Sequence, residues 1–315
     1  MDARKLIDPE LAHVPDLIPE ILGEITRENL IEVRAMLVEM GDLFKQDIEE
    51  VNTLERTIPA KDGDIRVYIS KAAGDSKKRP CLLWIHGGGY ILGNGDDPLG
   101  PVFAQRLGCI VVSVDYRLAP EHPFPAGPED CHDALLWIHA NANSLGVDRN
   151  HIGIGGTSAG AGMSAGVALM NRDRKGPELS FQFLMYPMLD NMHDSVSGGL
   201  ENHALWNRRT SFNAWEMYLN GTPGLQASPY AAASRATDLR GLPPTYITVG
   251  GQDLFRDECI NYAQRLMAAS VPTQLDVFPG VFHSAEMLAP EARVSRRMVQ
   301  CMFAALEDLL NSQES

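Results

Sequence analysis

The chain has 315 residues, 41 acidic against 27 basic side chains, a net charge of −14 and 44% hydrophobic content. At this length an ordinary apolar fraction fits one large α/β domain with an accessory piece, and the acidic balance excludes nucleic acid and anionic membrane as partners. Five cysteines without a C-x-x-C pattern point to reduced, mostly buried thiols in a cytoplasmic protein, Cys81 and Cys109 being structural. No apolar segment follows Met1-Asp2-Ala3-Arg4-Lys5-Leu6, so no secretory signal is expected. The longest near-apolar run, 159–170, is far short of the ~20 residues of a membrane span.

Residues up to about Leu54 read as helical, with Leu30, Val33, Leu37 and Met40 at three- and four-residue spacing. Residues 65–69 alternate as an early strand, and 81–85 form a buried one. A helix through Val102-Phe103-Ala104 leads to a strand at 110–114, and another helix, from about Glu129 to His139, precedes the apolar run 151–155. A small-residue helix at 161–170 follows, then strands at 181–186, 245–249 and 273–278. The closing helix carries Val294, Met298, Cys301 and Leu309 on one face. Strand, helix, strand in alternation predicts an α/β fold with a mostly parallel sheet covered on both faces.

Gly156-Thr157-Ser158-Ala159-Gly160 stands between the strand at 151–155 and the small-residue helix. A serine between close glycines at a strand-to-helix turn is a nucleophile elbow: the turn is strained, and it lifts the hydroxyl clear of the sheet. Upstream, His86-Gly87-Gly88-Gly89 follows the strand at 81–85, and backbone N–H groups on such a bare loop bind a developing oxyanion. Either motif alone is common as a plain turn. In this order, each after a strand, they point to acyl transfer from Ser158.

A serine nucleophile needs a base, and the base needs an orienting acid. In this fold the chain order is serine, acid, histidine. Of the nine histidines, His193, His203 and His283 follow Ser158, and only His283 lies in a short loop after a strand. The strand at 246–249 is followed by Gly250-Gly251-Gln252-Asp253, which makes Asp253 the expected acid. Asp257 and Glu258 fall in the next helix, where its first turn favours them. Asp115 ends a strand but precedes the serine and reads as structural. His86 is expected to brace the glycine loop, and His132 and His139 sit on a helix.

With these residues in place the chain resembles the hormone-sensitive-lipase-like esterases, the bacterial family IV. The similarity runs from about Val67 onward. It includes the His86 loop, Asp115-Tyr116-Arg117-Leu118-Ala119-Pro120-Glu121-His122-Pro123-Phe124-Pro125-Ala126, the elbow, and the run 250–258. Thr157 resembles the GTSAG branch. The resemblance implies an α/β-hydrolase fold with a helical cap and a serine carboxylesterase acting on short-chain esters. It implies the triad Ser158, Asp253 and His283, an oxyanion hole from the backbones of Gly87, Gly88 and Ala159, and no metal or cofactor. Two positions depart from the pattern: Ala161 and Ser284 stand where glycine is usual. The implied division is 1–54 as the N-terminal helical part of the cap, 55–187 as the first part of the core, 188–228 as the cap insertion and 229–315 as the second part of the core.

The insertion holds Met188, Met192, Trp206, Phe212, Trp215, Met217 and Tyr218, most of them expected in a small core of their own and some lining an acyl pocket. The expected partner is a small-molecule ester, and a homodimer stays open. Two other readings share the scaffold. One is an amidase or peptidase, which the triad does not distinguish; the other is a non-catalytic small-molecule receptor, against which His283 speaks.

Overall fold

The computed structural model describes residues 2–44, 48–74, 78–221, 223, 224 and 226–311, with side chains 40–44 outside that description. Eight strands form one sheet: β1 (Val51–Ile58), β2 (Ile65–Ala72), β3 (Arg79–Ile85), β4 (Ile110–Asp115), β5 (Val147–Thr157), β6 (Gln182–Met185), β7 (Thr245–Gly250) and β8 (Thr273–Phe278). Their order is β1-β2-β4-β3-β5-β6-β7-β8. From β4 to β8 every pairing is parallel; β1 and β2 join the edge antiparallel. The central strands are apolar without alternation because helices cover both faces: Cys81 through Ile85 are all buried.

The helices are α1 (Leu30–Phe44), α2 (Leu99–Leu107), α3 (Ala126–Leu145), α4 (Ala159–Asp173), α5 (Arg208–Leu219), α6 (Arg256–Ala268), α7 (Ala285–Leu288) and α8 (Arg293–Asn311). The central one is α4, buried from Ala159 to Asn171. Its glycines permit that depth: a Cβ at Gly162 would lie 2.0 Å from the Met188 carbonyl, and one at Gly166 2.2 Å from that of Tyr230. Met298 on α8 is fully buried, as its position on the apolar face of the closing helix predicts.

The N-terminal region differs from its expected helical character. Only α1 is α-helical. Before it come three short 3-10 turns, Ala3–Leu6, Val14–Leu17 and Glu20–Gly23. Pro9, Pro15 and Pro19 explain this, since each removes a donor that a longer helix would need. Residues 51–54 are not helical either: they open β1, whose middle six residues are all exposed. An edge strand this polar carries no alternation to betray it. Leu30 and Val33 are buried as the helical spacing predicts, whereas the Met40 side chain lies outside the described residues.

Candidate active site

Loops at the C-terminal ends of β3, β5, β7 and β8 converge at the crevice where open α/β sheets bind ligands. β5 ends at Thr157 and α4 starts at Ala159, leaving Ser158 alone in the turn at φ 53°, ψ −120°. That is strained backbone for a residue with a side chain, and flanking glycines make it possible. A Cβ on Gly156 would sit 2.3 Å from the Ile85 carbonyl oxygen, and one on Gly160 2.1 Å from the same atom.

Ser158 Oγ lies 3.0 Å from His283 Nε2, and His283 Nδ1 lies 2.8 Å from Asp253 Oδ2. All three side chains are buried. Asp253 holds its place through its other oxygen, which accepts the Phe255 N–H at 2.9 Å. The glycine loop passes directly over the serine: a Cβ on Gly87 would stand 2.9 Å from Thr157 Oγ1 and 3.4 Å from Ser158 Cβ. Gly88 turns at φ +108°, and its carbonyl accepts from Ile91 and Leu92. Ala159 opens α4, whose first N–H groups have no partner within the helix. Gly87 and Ala159 thus lie next to the serine, Gly87 across from it and Ala159 directly after it.

His86 braces this loop. Its Nδ1 donates to the Gly87 carbonyl at 2.8 Å, and its ring stacks on Tyr116 at 4.3 Å. Burial pushes its pKa down to about 4, so the ring stays neutral. The run 115–126 serves the same loop. Asp115 accepts from the Gly95 N–H and pairs with Arg66, and Tyr116 donates to the His86 carbonyl. Arg117 pairs bidentately with buried Asp130. Arg34 of α1 donates to the carbonyls of Ile91 and Ala119 and forks onto Glu121.

The remaining candidates lie elsewhere. His203 is buried between two carbonyls, Gln252 at 3.1 Å and Ser197 at 2.9 Å, and His193 meets Ser211 and Glu258. Asp257 and Glu258 occupy the first turn of α6, but their oxygens also anchor the insertion. Asp257 accepts from Ser197 N–H at 2.7 Å, and Glu258 from Leu189 at 2.7 Å and Asp190 at 3.1 Å. Ser284 adopts φ +56°, a left-handed conformation that explains why glycine suits that position. Sequence reasoning did not single out Tyr186, whose ring meets His283 edge-on at 4.9 Å while its hydroxyl donates to Glu286 at 2.7 Å. Burial raises the Glu286 carboxyl pKa. Nothing but its place at a strand end marks Tyr186 in the sequence.

Ser158 and His283 line a cavity of about 490 Å³, walled mostly by apolar side chains. Ile18 and Leu22 come from the N-terminal segment, Leu205 and Trp206 from the insertion, and Met287 from α7. Of the insertion's large apolar residues, Trp206 reaches this wall, while Trp215 and Tyr218 pack on Tyr90 as a small core.

Residues 82–287 match a family described by the alpha/beta hydrolase fold. The chain belongs to this family. A carboxylesterase of Mycobacterium tuberculosis, NlhH, is 37% identical over 295 residues, covering 89% of each chain. The esterase LipI of the same organism is 34% identical over 285 residues, covering 87% of this chain and 86% of its own. Among solved structures, a bacterial heroin esterase superposes with a TM-score of 0.91 at 38% identity, covering 97% of this chain and 98% of its own. The resemblance to the hormone-sensitive-lipase-like esterases, drawn from four sequence motifs, agrees with these relatives.

Proposed function

We propose that this α/β-hydrolase-fold protein is a serine carboxylesterase acting on short-chain esters, with Ser158 as nucleophile, His283 as base and Asp253 as the orienting acid. The observation that carries the reading is the continuous hydrogen-bonded line from Ser158 Oγ through both nitrogens of His283 to Asp253, at 3.0 and 2.8 Å, open to an apolar cavity. With Asp253 accepting from Nδ1–H, Nε2 is left free to take the serine proton as Oγ attacks the ester carbonyl. The imidazolium so formed lies against the Asp253 carboxylate and then protonates the leaving alcohol. Water, deprotonated by the same nitrogen, releases the acid.

The N–H groups of Gly87, Gly88 and Ala159 serve as the oxyanion hole, each donor contributing on the order of 3 kcal/mol in the transition state. The cap consists of the N-terminal segment through α1 together with the insertion 188–228, both of which contribute to the cavity or its roof. The five thiols, none in a disulfide among the described residues, fit a reducing compartment such as the cytoplasm.

A cavity of about 490 Å³ under a small cap suits soluble esters with acyl chains of roughly C2 to C8. Rates over aryl esters of increasing acyl length test this, alongside labelling by a fluorophosphonate, which requires an activated serine. Faster turnover of an emulsified long-chain triglyceride overturns the substrate assignment, and absence of labelling overturns the activity. Matched ester and amide substrates separate an esterase from an amidase.

A further inference from the structure

A second array of the same chemical order lies buried beside the first. Ser211 of α5 stands 2.8 Å from His193 Nε2, and His193 Nδ1 faces Glu258 Oε2 at 3.4 Å. A proton on Nδ1, the nitrogen that faces Glu258, would leave Nε2 to accept from the Ser211 hydroxyl, the polarity of Ser158, His283 and Asp253 repeated. Ser211 is fully buried and His193 nearly so, and none of the three lines the catalytic cavity, so the array holds no second nucleophile.

What it touches shows its use. The Phe255 ring stacks on His193, with centroids 5.9 Å apart at 25°, and meets His283 edge-on at 5.1 Å and 89°. One aromatic ring is therefore in contact with both imidazoles. Asp253, Phe255 and Glu258 fall within six residues that run into the first turn of α6, so this segment carries an acid beside each histidine and the ring between them. Glu258 is also tied to the start of the insertion by the Leu189 and Asp190 N–H groups, and Ser211 belongs to the insertion's own helix.

We propose that Ser211, His193 and Glu258 are positioning residues that fix His283 through Phe255, so that correct seating of α5 is a condition for a correctly aimed catalytic base. The proposal rests on reading His283 as that base. His193 is hydrogen-bonded to Ser211 at Nε2, faces Glu258 with Nδ1 and stands at φ +50°. A ring packed between two imidazoles transmits any displacement of one to the other, because a close-packed interior has no slack to absorb it. A misplacement of about 1 Å can cost on the order of 10²-fold in rate.

The test is a set of variants measured for kcat, KM and thermal midpoint. Ser211→Ala lowers kcat about ten-fold or more with KM little changed, and Ser211→Thr, which keeps the hydroxyl, restores most of it. Thr210→Ala is the control. It removes an equally buried hydroxyl of the same helix whose contacts run instead to Gly23 and Ile25, and it leaves kcat nearly intact at a comparable loss of midpoint. Phe255→Leu reproduces the loss in kcat, and Ser211→Ala added to it lowers kcat no further, since the path is already cut. Equal kcat in Ser211→Ala and wild type, equal losses in the Ser211 and Thr210 variants, or full additivity with Phe255→Leu each overturns the proposal. If Ser158→Ala retains activity, the catalytic reading itself is at fault; if it is inactive while Ser211→Ala is normal, only the positioning role falls.

Discussion

Ser158 occupies a backbone conformation that a side chain tolerates badly, and the glycines on either side, pressed against the Ile85 carbonyl, hold it there. Ser158→Ala keeps that turn and removes the attacking oxygen, so esterase activity falls by more than about 10³-fold with the fold unchanged by circular dichroism. Asp253→Asn leaves the geometry but presents the wrong tautomer to His283, with an expected loss on the order of 10⁴ in kcat. If Asp257→Asn proves the more damaging change, the assigned acid is wrong. His86 gives a pH prediction. Its folded pKa, pushed down to about 4, lies below the ordinary value of about 6.5, so the unfolded chain takes up a proton that the folded one refuses. The stability this contributes is present above about pH 6.5 and is lost as pH falls toward 4, by on the order of 3 kcal/mol. Denaturant midpoints measured from pH 7 to 4.5 fall less steeply in His86→Gln than in wild type; parallel slopes contradict the assignment. At this scale strand-end position was enough to pick out Ser158, Asp253 and His283, three side chains that meet in the structure. The sequence was silent on Tyr186 and Phe255, because an aromatic ring beside a histidine has no required spacing.

Among elements, α1 packs Leu30 and Val33 into the core and is tied to the neighbouring loops by the side chain of Arg34. Arg34 serves two carbonyls, Ile91 and Ala119, and one exposed carboxylate, Glu121. These contacts are unequal. The ion pair with Glu121 is half in water and is worth under about 1 kcal/mol, so Glu121→Gln changes the denaturant midpoint little. Arg34→Ala strips donors from two partly buried carbonyls as well and costs roughly 2–3 kcal/mol. Equal losses in the two variants indicate that the ion pair dominates instead. The strands were legible as elements because burial on both faces leaves apolar runs, uninterrupted at 81–85 and broken only by Ser113 at 110–114. β1 was not: its exposed residues belong to an edge, where charge and polarity guard against pairing and erase the pattern. The 3-10 turns at the N terminus were misjudged because helical spacing was weighed there and proline was not.

Across the whole molecule, the motifs fixed the order of the parts, and the structure supplies how tightly they meet. The end of β3 at Ile85, the insertion at Met188 and the chain at Tyr230 all press on α4 at its glycines. Ordinarily glycine inside a helix is a weakness, and replacing it with alanine gains about 1 kcal/mol. At Gly166 the added carbon would meet a backbone carbonyl at 2.2 Å, an overpacking that costs on the order of 1–3 kcal/mol or more. Gly166→Ala therefore lowers the thermal midpoint, and a rise would show that Tyr230 yields easily. Gly162→Ala does the same against Met188, two residues beyond Tyr186 and the cavity wall, so its damage extends to turnover. For anyone seeking a hardier variant, the residues that look easiest to improve in this helix are the ones to leave alone, and gains are better sought on exposed faces such as those of α1 and α8.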